Sequence, residues 1–143
     1  MQNSNYFRIA EHDIRIVFND SDVNSLALID SFLPFKTKRP DGELLFQLTV
    51  DDSLQPVPKE HRHRIRAFDS GNGDTIVDRL DNGGYQYIIK DVYGGCCCLL
   101  IADKEFCNCH CAHNDTFAMR DYSQNSALRL IMAFAGSRKQ TLL

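Results

Sequence analysis

Residues 75–89, Thr75-Ile76-Val77-Asp78-Arg79-Leu80-Asp81-Asn82-Gly83-Gly84-Tyr85-Gln86-Tyr87-Ile88-Ile89, decide the fold class. Two runs rich in β-branched and aromatic residues flank an Asp-Asn-Gly-Gly cluster, whose members accept the positive φ angles of a tight hairpin turn. The pattern continues downstream: Val92-Tyr93-Gly94-Gly95 marks another turn, 96–102 a strand, Asp103-Lys104 a two-residue turn and 105–112 the returning strand. This is an antiparallel meander. Upstream, 64–68 reads as a strand leading into the turn at 70–74. A Pro-containing, aperiodic stretch, 51–59, is a loop that separates these strands from the first ones.

The beginning of the chain also reads as β structure. Phe7 and Ile9, then Ile14, Ile16 and Phe18, alternate around the polar Glu11-His12-Asp13 break of a hairpin. Leu44, Phe46, Leu48 and Val50 share one face of a half-buried strand. Between them, Asp20 to Asp22 can cap a short helix near 22–30 that carries Val23, Leu26, Leu28 and Ile29 and stops before Pro34. At the other end, Asp121 or Ser123 caps a long helix over 123–138, apolar on nearly every side. The expected class is α+β: a mainly antiparallel sheet with one long C-terminal helix and one short one.

At 143 residues and 43% apolar, the chain suits a single domain with a real core. Its net charge of −3, with Lys and Arg clustered only at 61–66, argues against nucleic acid as a partner. The polar Met1-Gln2-Asn3-Ser4-Asn5 start has none of the features of a secretory signal. No apolar run approaches the roughly 20 residues that span a bilayer. A cytoplasmic protein with no membrane partner is expected, and its six cysteines are then free thiols or metal ligands more readily than disulfides.

If Asp103-Lys104 turns the last hairpin, Cys98 stands opposite Cys109, Cys96 opposite Cys111, and Leu100 opposite Cys107. Cys96, Cys98, Cys107, Cys109 and Cys111 then share a face. Cys107, Cys109, Cys111 and His113 cannot all reach one zinc ion, because alternate residues of an extended strand lie about 6.6–6.8 Å apart. A site across the hairpin, from Cys96, Cys98, Cys109 and Cys111, stays open as a metal or redox alternative. The other reading makes these thiols small apolar core residues.

Further candidates are sparse. Within 60–66, His61 and His63 alternate with Arg62, Arg64 and Arg66. The three guanidinium groups could grip a phosphate, or simply charge an edge strand against aggregation. Ser70-Gly71-Asn72-Gly73-Asp74 lacks the Lys-Ser or Lys-Thr of a nucleotide loop and reads as a turn. Asp51 and Asp52 are adjacent, so they point apart and end a strand. No catalytic residue and no cofactor-binding residue is assigned.

Three groups of segments carry a resemblance. They are Tyr6-Phe7-Arg8-Ile9-Ala10 with Ile14-Arg15-Ile16; Phe32-Leu33-Pro34-Phe35 with Leu45-Phe46-Gln47-Leu48-Thr49-Val50; and Asp121-Tyr122-Ser123-Gln124-Asn125-Ser126-Ala127-Leu128 with Thr141-Leu142-Leu143. Together they resemble the region preceding the kinase domain in HPr-kinase-like P-loop proteins, relatives of phosphoenolpyruvate carboxykinase. They do not resemble the N-terminal domain of HPr kinase itself. The resemblance implies that 1–140 form a noncatalytic accessory domain and that 141–143 begin a following kinase domain. ATP and Mg belong to that domain, since the P-loop and acidic metal ligands of the family are not in this sequence. The expected partner is the downstream kinase domain, or a second copy in a homodimer, against a helix face made by Leu128, Ile131, Met132 and Phe134. The accessory domain would help to position a protein or peptide substrate.

Overall fold

The computed structural model describes residues 3–19, 32–69, 74–90, 96–113, 128 and 131–132. They build one nine-stranded sheet from β1 (Asn3–Ile9), β2 (His12–Phe18), β3 (Lys36–Thr37), β4 (Leu44–Val50), β5 (Arg62–Asp69), β6 (Asp74–Leu80), β7 (Tyr85–Lys90), β8 (Cys96–Ala102) and β9 (Asn108–His113). Their spatial order is β3-β1-β2-β4-β9-β8-β7-β6-β5. The run from β5 to β9 is the antiparallel meander expected from the turn residues. β2 and β4 are parallel, however, and so are β4 and β9.

The α+β expectation is therefore overturned. The chain is mostly a mixed sheet, and among the described residues no helix reaches seven residues. Leu128, Ile131 and Met132 are helical, while the rest of the expected 123–138 helix lies outside the described residues, as do the short helix near 22–30, Phe134 and 141–143. The physical reason is that a run of apolar residues reports burial rather than the length of an element. Burial here is organised by the sheet. The mixed topology escaped detection because alternation tells which face is buried and leaves strand direction open.

β2 and β4 show the same burial pattern, with five of seven residues buried in each. Strands so covered on both faces suit the centre of a sheet. One face carries the main core, with Phe7, Ile14, Phe18, Phe46, Leu48 and Leu100 among its fully covered members. Leu128 and Ile131 close over this same cluster. Val17, Thr49, Gln86, Leu99 and Ala112 point to the other face and are buried as well.

That second face is crossed by the loop from β4 to β5. The two strands lie five places apart in the sheet, roughly 24 Å at the usual strand spacing. Asp51 N donates to Cys111 O at 2.8 Å as the loop leaves β4, and Val57 N donates to the side-chain Oε1 of buried Gln86 at 2.8 Å midway. Arg62 Nε then donates to Val57 O at 2.9 Å. A buried amide in an otherwise apolar strand thus supplies the acceptor that the crossing backbone needs.

Two turns set the registers. At 81–84 Gly83 holds φ 90°, and a Cβ on buried Gly84 would lie 2.5 Å from Ala102 O, so the expected glycine turn is required twice over. The first hairpin is tighter than its sequence suggests. Ile9 pairs with His12, leaving Ala10 and Glu11 as the turn, at φ 51° and 69°. Neither is a residue that favours this left-handed region. Replacing Glu11→Gly should relieve the steric cost while adding chain entropy to the unfolded state, for a net gain of about 0.5–1 kcal/mol. Urea unfolding at constant m-value checks this, with a higher midpoint expected.

Candidate functional site

The cysteine face forms, but in a different register. Cys98 stands opposite His113, Leu100 opposite Cys111 and Ala102 opposite Cys109, a displacement of four residues from the expected pairing. The connection is not the two-residue Asp103-Lys104 turn. Asp103 N donates to Asn108 O at 3.1 Å, Phe106 N to Asp103 O at 3.1 Å and Cys107 N to Asp103 Oδ1 at 2.7 Å. Phe106 adopts φ 59° and lays its ring against Tyr85, with centroids 5.5 Å apart. An aromatic anchor lengthens the turn. Because the displacement is even, the strand faces are preserved, and Cys98, Cys109 and Cys111 all point into the main core.

These three thiols are essentially inaccessible, at 0%, 1% and 0% exposure. Burial pushes the Cys109 thiol well above its ordinary value, and the nearby Asp103 and Cys107 add to the effect. Such a group stays protonated, whereas metal binding and redox exchange need the thiolate. Cys107 sits half-buried in the turn, and the side chain of Cys96 lies outside the described residues. Among the described residues no three metal-ligating side chains surround a common point. Cys98, Cys109 and Cys111 pack as members of the core.

Arg62 and Arg64 do not form a row with Arg66. A register shift between Arg64 and Arg66 puts Arg66 out of step. Arg62 Nη1 donates to Asp78 Oδ2 at 2.7 Å and Arg64 Nε to Asp78 Oδ1 at 2.8 Å, so both guanidinium groups are bound to one carboxylate that is 3% exposed. Burial raises this carboxyl, but the hydrogen bonds from Arg64 and Arg62 more than offset that, and it ends below the ordinary 3.8. β5 is an edge strand, and its basic side chains and local irregularity discourage sheet-to-sheet association. The sequence signal for the network was an acid inside a buried strand, which demands a partner.

A concavity of about 350 Å³ lies at the opposite end of the sheet. It forms where the β1–β2 turn meets the loop before β4, and Arg8, His12, Glu11, Asp13, Asp41 and Glu43 are among its lining residues. Asp13, 7% exposed, organises it. Its Oδ2 accepts from Asp41 N at 3.1 Å and Gly42 N at 3.3 Å, and Arg8 Nη1 lies 3.6 Å from its Oδ1 and 2.9 Å from Asp41 Oδ2. Four carboxylates around one guanidinium favour a cationic group over an anionic one. None of these residues stood out in the sequence, because they come together only when β3 and β4 flank the first hairpin.

The expected interface residues divide. Leu128 and Ile131 are 1% and 0% exposed within their own core, and Met132 is partly buried against it. At Leu128 and Ile131 no bare surface is left for a second copy. The apolar side chains that do stand exposed include Leu33 and Phe35, at 39% and 45%, in the 3-10 turn that leads into β3. No helix among the described residues is long and apolar enough to cross a membrane.

Two outcomes follow from these environments. In a C96S/C97S background, Cys107 should react promptly with a thiol reagent, while Cys98, Cys109 and Cys111 should react only at the rate of unfolding. Stopped-flow labelling with and without denaturant checks this. The Asp78 carboxyl, lowered in the folded state, contributes stability that is present above its unfolded value near 3.8 and is lost as pH falls through the folded value. D78N should therefore lose less stability than the parent between about pH 5 and pH 2 in urea titrations. No family model, curated protein or solved structure matches the chain.

Proposed function

We propose that this chain is the noncatalytic N-terminal accessory domain of an HPr-kinase-like phosphotransferase, docking on its kinase domain and helping to position a protein or peptide substrate. One observation carries the reading. Of the segments that bear the resemblance, within 6–50, 121–128 and 141–143, the described residues fall on β1, β2 and β4, which are direct neighbours, on the turn leading into β3, and on Leu128 in the core.

Docking is assigned to the surface around Leu33 and Phe35. Those side chains lie next to β3, which pairs with β1 through Tyr6–Thr37 and Phe7–Lys36, and so they belong to the same block. The acidic concavity on that half of the sheet suits a basic side chain of a peptide substrate. Phosphoryl transfer itself falls to the kinase domain, where ATP and Mg would bind.

The reading frame beyond Leu143 provides the test. A strand followed within a few dozen residues by G-x-x-x-x-G-K-[ST] is expected, and a stop codon overturns the proposal. In the full-length protein, L33S/F35S should leave the fold intact and weaken contact with the kinase domain, read as faster proteolytic separation of the two parts.

A further inference from the structure

Away from the core and the acidic concavity, three side chains with ligand chemistry meet near the β6–β7 turn. His61 ends the 3-10 turn Lys59–His61, and His63 follows two residues later in β5. Both imidazoles reach Asp81. His61 Nδ1 lies 2.9 Å from Asp81 Oδ2, and His63 Nε2 lies 3.4 Å from Asp81 Oδ1. The backbone enforces this meeting: Asp81 N donates to His61 O at 3.1 Å, and Arg62 and His63 pair with Leu80 and Arg79.

We propose that His61, His63 and Asp81 form a surface site for a divalent transition-metal ion of the zinc class. Two imidazoles and one carboxylate are a donor set that suits such ions. With metal–ligand bonds of about 2.0–2.2 Å, neighbouring donors stand roughly 3.0–3.4 Å apart, close to the two separations seen. The three groups now pair with one another and do not surround a common point. The His61 and His63 side chains, 58% and 74% exposed, stand at the surface, where their rings can turn to meet an ion. Three cations of the neighbouring strands are directed elsewhere. Arg62 and Arg64 bind Asp78, and Arg79 lies over the Tyr85 ring at 5.8 Å. At a tetrahedral ion one coordination position remains open for water or a partner's side chain.

Calorimetric titration of the intact chain with zinc ion alone tests the site. One ion per chain is expected in the parent and in C96S/C97S/C107S, with affinity weakened at least about tenfold in H63A and in D81N. A zinc-dependent rise in melting temperature, present in the parent and missing in H63A, is the second readout. Since His63 is exposed, H63A should melt like the parent without zinc, which separates loss of the ligand from loss of fold. No binding by the parent, binding unchanged in H63A, or binding abolished by the cysteine substitutions would each overturn the assignment.

Discussion

The parallel seam between β4 and β9 is the joint on which the architecture rests. It unites two blocks of different construction, the N-terminal β3-β1-β2-β4 and the returning meander β9-β8-β7-β6-β5. Gln47 N donates to Cys107 O and Asp51 N to Cys111 O, each at 2.8 Å, at the two ends of the seam. Leu48 and Val50 then meet Cys109 and Cys111 across it, all four buried. Parallel neighbours cannot be joined by a tight turn. The chain must leave β4, travel to the far edge and come back through four hairpin connections before the seam can close. Small thiols at this joint allow close packing in the core cluster that also contains Leu128 and Ile131, which suits a cysteine-rich strand.

Two buried carboxylates fasten separate parts of the fold, one before β4 and one at the far edge. Asp13 accepts the backbone N–H groups of Asp41 and Gly42 and so places the loop that delivers β4 beside β2. Asp78 gathers Arg62 and Arg64 and so fastens the outermost strand. Each acid is unfavourable in an apolar setting unless its oxygens are satisfied, and both have donors brought from a different strand or loop. Gln86 does the equivalent work for the crossing loop with a neutral group. Polar side chains therefore specify where irregular backbone passes, while apolar ones supply the driving force.

The proposed accessory role rests on the resemblance of sequence segments, and its parts are distributed over the same two blocks. The half of the sheet assembled from β1, β2, β3 and β4 carries the exposed Leu33 and Phe35 beside β3, and the acidic concavity. The meander contributes a charged edge, a core packed with thiols and the His61–His63–Asp81 cluster. The proposed docking surface thus lies on one half, and the proposed metal site on the other.

Local chemistry made much of the β structure legible. The Asp81–Gly84 turn, the alternation in β2 and β4, and the common face of Cys98, Cys109 and Cys111 all depend on neighbours in sequence, because side-chain alternation and positive φ are properties of short segments. What the residues could not state was which strands lie side by side, in which direction, and in what register. The parallel pairs depend on contacts between residues far apart in the chain, and the four-residue shift of the last hairpin depends on Phe106 finding Tyr85. The apolar pattern around Leu128 and Ile131 correctly signalled burial, but only the folded sheet decided that their covering was their own core. Sequence determined which side chains avoid water, and tertiary structure decided what replaces it, because burial is a property of each residue whereas contact is a property of pairs.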